Sequence, residues 1–169
     1  IRMDPGMAFG TGSHETTRLV IGLLEDSVTP GCHVLDVGTG SGILAVCASK
    51  LGAADCRAYD IDPVAVEVAA ENAAENGCAN IETGRSDLLA GVAPGKYDVV
   101  CANIVADIII RMAPDIGKFM HDESTLLASG IINERASDVI DALEANGFYI
   151  ARALEDNGWT ALAVKKLIG

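Results

Sequence analysis

The sequence predicts an α/β fold with a mostly parallel sheet, helices on both faces and a C-terminal antiparallel hairpin. Strand-like and helix-like stretches alternate five times along the 169 residues, a pattern typical of parallel strands joined by right-handed helical crossovers. Two further alternating stretches flank Asn157-Gly158, a pair that favours a tight hairpin turn. The sequence shows no internal repeat, low-complexity tract or linker. We therefore expect one domain over residues 1–169.

Local signals place each element. The predicted strands cover 33–37, 56–62, 81–83, 97–104, 125–130, 148–155 and 159–167. The predicted helices cover 13–28, 43–51, 63–76, 107–120 and 134–145. Pro63 begins the third helix and Gly77 follows it, which matches the preference for Pro at a helix start and Gly after a helix end. The spacing of apolar residues in the fourth helix predicts a core-facing side made of Ile108, Ile109, Met112 and Ile116.

Composition argues against several function classes. Lys and Arg total 12 and Asp and Glu total 24, so the formal net charge is −12. Loose nucleic-acid binding needs Lys and Arg to neutralise phosphates, and the acidic balance disfavours it. Aromatic residues make up only 4% of the chain, which disfavours a base-stacking surface. We also expect no membrane-spanning segment, and an acidic surface favours basic partners.

The cysteines predict a reducing environment. The chain has five cysteines: Cys32, Cys47, Cys56, Cys78 and Cys101. Their number is odd and they form no CxxC pair, so neither a disulfide framework nor a zinc site fits. We expect all five to pack in the core as free thiols. The three histidines are scattered, so we expect no metal site. No secretory signal is visible, and we expect a cytoplasmic location.

A glycine-rich turn lies between the first strand and the second helix. Gly38, Gly40 and Gly42 allow a sharp turn and a close backbone approach to a ligand, beside the free N–H groups of a helix N-terminus. The dinucleotide fingerprint GxGxxG needs glycine where Ile43 stands, so a nicotinamide cofactor is disfavoured. A GxGxG turn is typical of S-adenosylmethionine (SAM) sites. Any tight strand-to-helix turn needs glycine, so this motif alone is weak evidence.

Polar residues follow the next three strands. Asp60 ends the second strand, where a carboxylate accepts both ribose hydroxyls of an adenosine. Asp62 stands directly before Pro63 and fits a helix cap better. Asp87 follows the third strand, either near an adenine amino group or as a solvated loop acid. Asn103 ends the fourth strand among apolar residues, and we favour a functional role over that of a buried structural amide.

The opening segment FGTGSHETT at 9–17 is unusually specific for a loop. Gly10 and Gly12 allow close approach to a ligand, and the hydroxyls of Thr11 and Thr17 can reach its polar groups.

Four stretches together resemble the ribosomal protein L11 methyltransferase family, PrmA: DPGMAFGTGSHETT, LDVGTGSGILA, YDIDPVAVEVAAENAAENG and CANIVAD. The resemblance runs from about Asp4 to the end of the chain, and its first stretch is the most family-specific. It implies the catalytic domain of a SAM-dependent enzyme with the Rossmann-like class I methyltransferase fold. It also implies methyl transfer to lysine ε-amino and N-terminal α-amino groups of ribosomal protein L11. The family's N-terminal substrate-recognition domain is expected to be absent from this sequence.

The resemblance also implies site residues, with SAM contacts carried over onto Thr17, Gly38, Asp60 and Asn103. Asn103 is the predicted catalytic residue, which orients the amine through its side-chain oxygen, and no general base is identified. The complete predicted cofactor-binding set is Phe9, Thr11, Thr17, Gly38, Gly40, Gly42, Asp60, Ile61, Asp87 and Asn103. Thr39 stands where the family usually has Cys and Glu15 where Pro is common, and SAM binding is expected to tolerate both.

Two alternatives stay open. The chain is either a SAM enzyme acting on another protein or a small molecule, or a SAM-binding fragment that is inactive alone. Enzymes of this fold that methylate glutamine carry Asn-Pro-Pro-Tyr after the fourth strand, whereas Asn103 is followed here by Ile-Val-Ala.

Overall fold

The structure is a computed structural model that describes residues 14–168. The described residues form a seven-stranded sheet. The strands are β1 His33–Val37, β2 Asp55–Asp60, β3 Ile81–Arg85, β4 Tyr97–Asn103, β5 Met120–Ile132, β6 Phe148–Asp156 and β7 Trp159–Lys166. Their order in the sheet is β3-β2-β1-β4-β5-β7-β6; β1 to β5 pair parallel, and β7 pairs antiparallel with both β5 and β6. The helices are α1 His14–Ser27, α2 Ile43–Lys50, α3 Pro63–Glu75, α4 Ala106–Ile116 and α5 Ala136–Ala145. The predicted fold class is confirmed.

Two apolar layers cover the central strands. On one face, α1 and α2 pack against Val34 and Cys101. On the other face, α4 and α5 pack against Leu35 and Val100. Successive residues of a strand point to opposite faces, so a strand covered on both faces is apolar throughout. Polar side chains that could meet a ligand are therefore expected at the ends of these strands. No described helix combines the length and apolar character needed to cross a bilayer.

All five cysteines are free and buried, as predicted. Burial raises the pKa of Cys47 to about 11 and that of Cys56 to about 12. Thiols with such pKa values stay protonated at neutral pH and are poor nucleophiles. Their role is to pack the core.

The fourth helix is shorter than its apolar spacing predicts. α4 ends at Ile116, a single 3-10 turn follows at Gly117–Phe119, and β5 begins at Met120. Met120 pairs with Tyr97 of β4 and is fully buried. The prediction of a helix to residue 120 was wrong because Met120 continues the helical apolar spacing, while its strand pairing is a tertiary contact.

Asp62 caps α3, as predicted. Its backbone is extended, and its Oδ1 accepts a hydrogen bond of 2.9 Å from the backbone N–H of Val64. Pro63 occupies the first helical position, where the missing N–H costs no hydrogen bond.

Replacing the cap should destabilise the protein. Asp62→Ala removes the acceptor for a helix-terminal N–H, so we expect the free energy of unfolding to fall by about 1 kcal/mol in chemical denaturation. Glu67→Ala is the matched control, because Glu67 is an exposed carboxylate on the same helix. The control should change the free energy of unfolding by less than about 0.5 kcal/mol. Equal losses in both variants would contradict a capping role.

Candidate active site

The turn after β1 is joined to the end of β2. The backbone N–H groups of Gly38 and Thr39 both donate to the Tyr59 carbonyl oxygen at 2.9 Å. Gly38 has φ +72°, and a Cβ at this position would lie 2.6 Å from Cγ2 of Ile104. Glycine is therefore required here both by the backbone conformation and by the close approach of Ile104.

Asp60 is held by backbone donors on both of its carboxylate oxygens. Oδ2 accepts from the N–H of Gly40 at 2.9 Å, and Oδ1 accepts from the N–H of Asp62 at 3.0 Å. A carboxylate oxygen has lone pairs beyond the one used by each N–H, so Asp60 can still accept hydrogen bonds from a ligand. Gly40 thus orients the carboxylate, while Gly42 is the N-cap residue of α2 and lies close to Ala69.

A cleft of about 340 Å³ opens at the carboxyl ends of β1, β2 and β4. Its volume lies at the lower end of the range for small-molecule sites. Ten residues line it: Val37, Gly38, Asp60, Ile61, Ser86, Asp87, Leu88, Ile104, Ile108 and Arg111. Four residues of the predicted cofactor-binding set, namely Gly38, Asp60, Ile61 and Asp87, meet in this cleft.

The remaining lining residues were missed, and part of the signal was present in the sequence. Ile104, Ile108 and Arg111 are spaced by four and three residues, so they lie on one side of the segment that enters α4. Ile108 was expected in the core, but it is half-buried and faces the cleft. Ile109 and Met112 are buried in the core as predicted.

Asp87 projects from a tight turn beside the cleft. The Ser86 hydroxyl donates to the carbonyl oxygen of Leu88 at 2.8 Å and accepts from the N–H of Gly91 at 2.8 Å. Leu88 has φ +54°, a left-handed backbone that is costly for a residue with a branched side chain. The turn leaves Asp87 exposed at the mouth of the cleft.

Asn103 lies beside the cleft rather than in its lining. It is the last residue of β4 and is 8% exposed. The N–H of Ile104, the next residue, donates to the Ser129 carbonyl oxygen at 3.0 Å. Asn103 thus lies at the carboxyl end of β4, and the next residue, Ile104, forms part of the cleft wall.

The opening segment is only partly described. Phe9 and Thr11 lie outside the described residues, so the predictions for them remain predictions. Thr17 lies on the outer face of α1, where it lines a separate depression of about 510 Å³ with Ile21 and Gly22. The described residues do not bring Thr17 into the cleft, and its predicted cofactor contact stays a prediction.

Asp36 of β1 is a buried carboxyl group beneath the turn. Its Oδ2 accepts from the Thr39 hydroxyl at 2.7 Å, and its Oδ1 has no hydrogen-bond partner among residues 14–168. Burial is the main cause that raises its pKa from 3.8 to about 7, while Thr39 acts in the opposite direction and the charge of Asp60 adds to the rise. The neutral acid is therefore favoured in the folded protein below about pH 7.

The carboxylate and the apolar side chains that line the cleft fit an adenosine group. A backbone-held carboxylate suits vicinal hydroxyls, and the apolar side chains of Ile61, Leu88 and Ile108 suit the faces of a purine ring. Strand order reverses between β1 and β4, which is where ligands bind in open α/β sheets. Fold and cleft together define a Rossmann-like protein of the SAM-dependent methyltransferase class.

Comparison with known proteins identifies the family. The family model "Ribosomal protein L11 methyltransferase (PrmA)" matches residues 1–167, and the chain belongs to that family. A ribosomal protein L11 methyltransferase of Caldanaerobacter subterraneus subsp. tengcongensis is 48% identical over 166 residues, covering 98% of this chain and 53% of the relative. One from Pelotomaculum thermopropionicum is 49% identical, covering 98% of this chain and 54% of the relative. The chain thus spans about half the length of these relatives.

Solved structures agree with this assignment. The crystal structure of ribosomal protein L11 methylase from Lactobacillus delbrueckii subsp. bulgaricus superposes with a TM-score of 0.94 at 38% identity, covering 99% of this chain and 86% of that one. Precorrin-6y C5,15-methyltransferase from Geobacter metallireducens, at TM-score 0.76 and 12% identity, covers 99% of this chain and 94% of its own and shares the fold alone. The prediction of the family is confirmed. The prediction of SAM as cofactor is confirmed as well.

The burial of Asp36 predicts a pH-dependent stability. Its folded pKa of about 7 exceeds its ordinary value of 3.8, so the folded state holds a proton that the unfolded state has lost. The contribution of Asp36 to the stability of the protein is therefore greatest below about pH 4 and decreases as the pH rises to about 7. Between pH 5 and 7 the wild-type protein should lose on the order of 2 kcal/mol more unfolding free energy than Asp36→Asn. Parallel pH profiles of the two proteins in denaturant titrations would exclude this account.

Proposed function

We propose that this chain is the catalytic domain, over residues 1–169, of an enzyme that transfers methyl groups from SAM to ribosomal protein L11. The acceptors are lysine ε-amino groups and the N-terminal α-amino group. The observation that carries the proposal is the cleft in which Gly38, Asp60, Ile61 and Asp87 meet at the carboxyl edge of the sheet. The names of the relatives, which are L11 methyltransferases, support ribosomal protein L11 as the substrate.

Cofactor recognition is assigned to residues of the cleft. Asp60 accepts the ribose hydroxyls, since its carboxylate is already oriented by two backbone N–H groups. Asp87 accepts the adenine amino group at the mouth of the cleft, and Ile61 and Leu88 pack on the ring. When bound, SAM supplies a methyl group on a sulfonium, whose leaving group is a neutral thioether. The protein therefore has to position the acceptor amine rather than activate the leaving group.

The acceptor amine must be neutral to attack. Lysine has a solution pKa of about 10.4, and a desolvated environment lowers it. Asn103 is placed to orient such an amine, because its amide is largely buried at the edge where β4 ends. Its side-chain oxygen can accept an N–H of the amine and so direct the nitrogen lone pair towards the methyl group.

The charge of the chain supports a basic partner. A formal net charge of −12 attracts a basic ribosomal protein and repels nucleic-acid phosphates. We extend the proposal to a cytoplasmic location, with no direct nucleic-acid binding.

A second candidate is a module that binds SAM but does not methylate alone. The chain spans about half the length of the relatives it matches, so a transfer assay on this chain also tests whether this half suffices for methylation. The two candidates differ in one test: transfer of radiolabelled methyl groups to purified L11 by this chain, alone and within a chain extended to the length of its relatives.

Calorimetric titration tests the cofactor assignment. We expect SAM and S-adenosylhomocysteine to bind this chain and NADH not to bind, because the glycine turn lacks the third glycine of the dinucleotide fingerprint. Tighter binding of NADH than of SAM would overturn the proposal.

Removing the ribose acceptor should weaken cofactor binding. Asp60→Ala is expected to reduce the affinity for S-adenosylhomocysteine by about 1 to 3 kcal/mol, the usual cost of losing a charged hydrogen-bond partner. Asp122→Ala removes the same charge from an exposed position at the start of β5, at the opposite edge of the sheet. The control should bind like the wild-type chain, and equal losses in both would point to net charge instead of a ribose contact.

A further inference from the structure

The segment Asn103-Ile104 lies close to two glycines, Gly38 in the turn after β1 and Gly130 in β5. Gly38 faces the side chain of Ile104 on the cleft side, with 2.6 Å between Cγ2 and the position of an added Cβ. Gly130 of β5 faces the backbone of Ile104 and the side chain of Asn103. Nothing in the sequence marks Gly130, which stands within a run that predicts an ordinary strand.

The contacts at Gly130 are with the last residue of β4, Asn103, and with the residue that follows it, Ile104. A Cβ added here would lie 2.9 Å from the carbonyl oxygen of Ile104, 3.0 Å from Oδ1 of Asn103 and 3.1 Å from the N of Ile104. The first of these contacts is shorter than 3.0 Å, a distance that real Cβ atoms essentially never show, so Gly130 or Ile104 would have to move. The other two are tighter than nine in ten real Cβ contacts, so Asn103 would also have to shift by a few tenths of an ångström. Two of the three atoms belong to the backbone and the third is the side-chain oxygen assigned to the acceptor amine.

The backbone around Gly130 has little freedom to relieve such a contact. Gly130 has φ +80° and lies where the register of β5 with β7 shifts between Ala128 and Ile131. The preceding residue, Ser129, is fully buried and accepts the N–H of Ile104 with its carbonyl oxygen. Its hydroxyl donates to the carbonyl oxygen of Thr16 at 3.3 Å. β5 is thus tied to both β4 and α1 at this point, and a displacement would fall on Asn103 and Ile104.

We propose that Gly130 is a positioning residue for methyl transfer. Its missing side chain lets β5 close on Asn103-Ile104, which sets the direction of the Asn103 amide and the place of Ile104 in the cleft wall. This inference rests on the proposed function, because it takes the role of Asn103 from there. The competing explanation is that Gly130 only satisfies a left-handed backbone in a bulge.

Gly147 separates the two explanations. It has φ +87°, close to the value at Gly130, and no atom lies within 4 Å of an added Cβ. It follows α5 at the opposite edge of the sheet from the cleft. Gly130→Ala and Gly147→Ala therefore impose similar backbone strain, and only the first adds a contact with Asn103 and Ile104.

The experiment compares these two variants with the wild-type chain. The readouts are the affinity for S-adenosylhomocysteine by calorimetry and the ¹H–¹⁵N resonance of the Asn103 side-chain amide, assigned by its loss in Asn103→Ala. We expect Gly130→Ala to weaken binding at least about tenfold and to displace this resonance. Gly147→Ala should leave the affinity within about twofold and the resonance in place.

Equal affinity and an unmoved resonance in Gly130→Ala and Gly147→Ala would overturn the positioning role and leave the proposed function intact. Absence of S-adenosylhomocysteine binding by the wild-type chain would instead remove the proposed function, and the resonance would still report whether Gly130 sets the amide. If Gly130→Ala does not fold, Gly130→Asn serves in its place, because Asn adopts the left-handed backbone at lower cost and retains the Cβ. A displaced resonance in Gly130→Asn supports the inference, and an unmoved one overturns it.

Discussion

The hydrogen bonds between the turn after β1 and the end of β2 are the constraint on which the cleft depends. The Tyr59 carbonyl oxygen accepts from Gly38 and Thr39, and the Asp60 carboxylate accepts from Gly40. Donors that precede a helix need acceptors from outside that helix. Here β2 supplies them, so the orientation of Asp60 follows from the pairing of two neighbouring strand ends. The carboxylate is consequently set before a ligand arrives, which reduces the ordering that binding has to impose.

The buried faces of the sheet explain why all the polar chemistry collects at one edge. Side chains of β1 and β4 pack against helices on both sides, and an unpaired polar group there is costly. Asp36 is the exception, since it is buried and only one of its oxygens has a partner among the described residues. Its raised pKa shows how the protein meets that cost, because the neutral acid needs less solvation than the carboxylate. Thr39 links this group to the same turn that orients Asp60.

Local signals predicted the parts of the site that follow strand ends, and tertiary contacts decided the rest. Pro63 fixes the start of α3, so the sequence alone could separate Asp62, which caps the helix, from Asp60, which lines the cleft. The end of α4 could not be found this way, because Met120 fits the helical spacing as well as it fits the strand. Gly130 is the sharper case. An added Cβ would meet Asn103 at the end of β4 and Ile104 directly after it, and no pattern within β5 records that contact.

On the proposed function, charge and burial act on the acceptor amine one after the other. The net charge of −12 attracts a protonated lysine over a distance, where its positive charge is an advantage. The same proton prevents attack on the methyl group, so it must be lost near the site. At Asn103 the exposed fraction of the residue is only 8%. Desolvation there disfavours the ammonium form. An amide suits this position better than a carboxylate, because a carboxylate would stabilise the ammonium ion and raise its pKa.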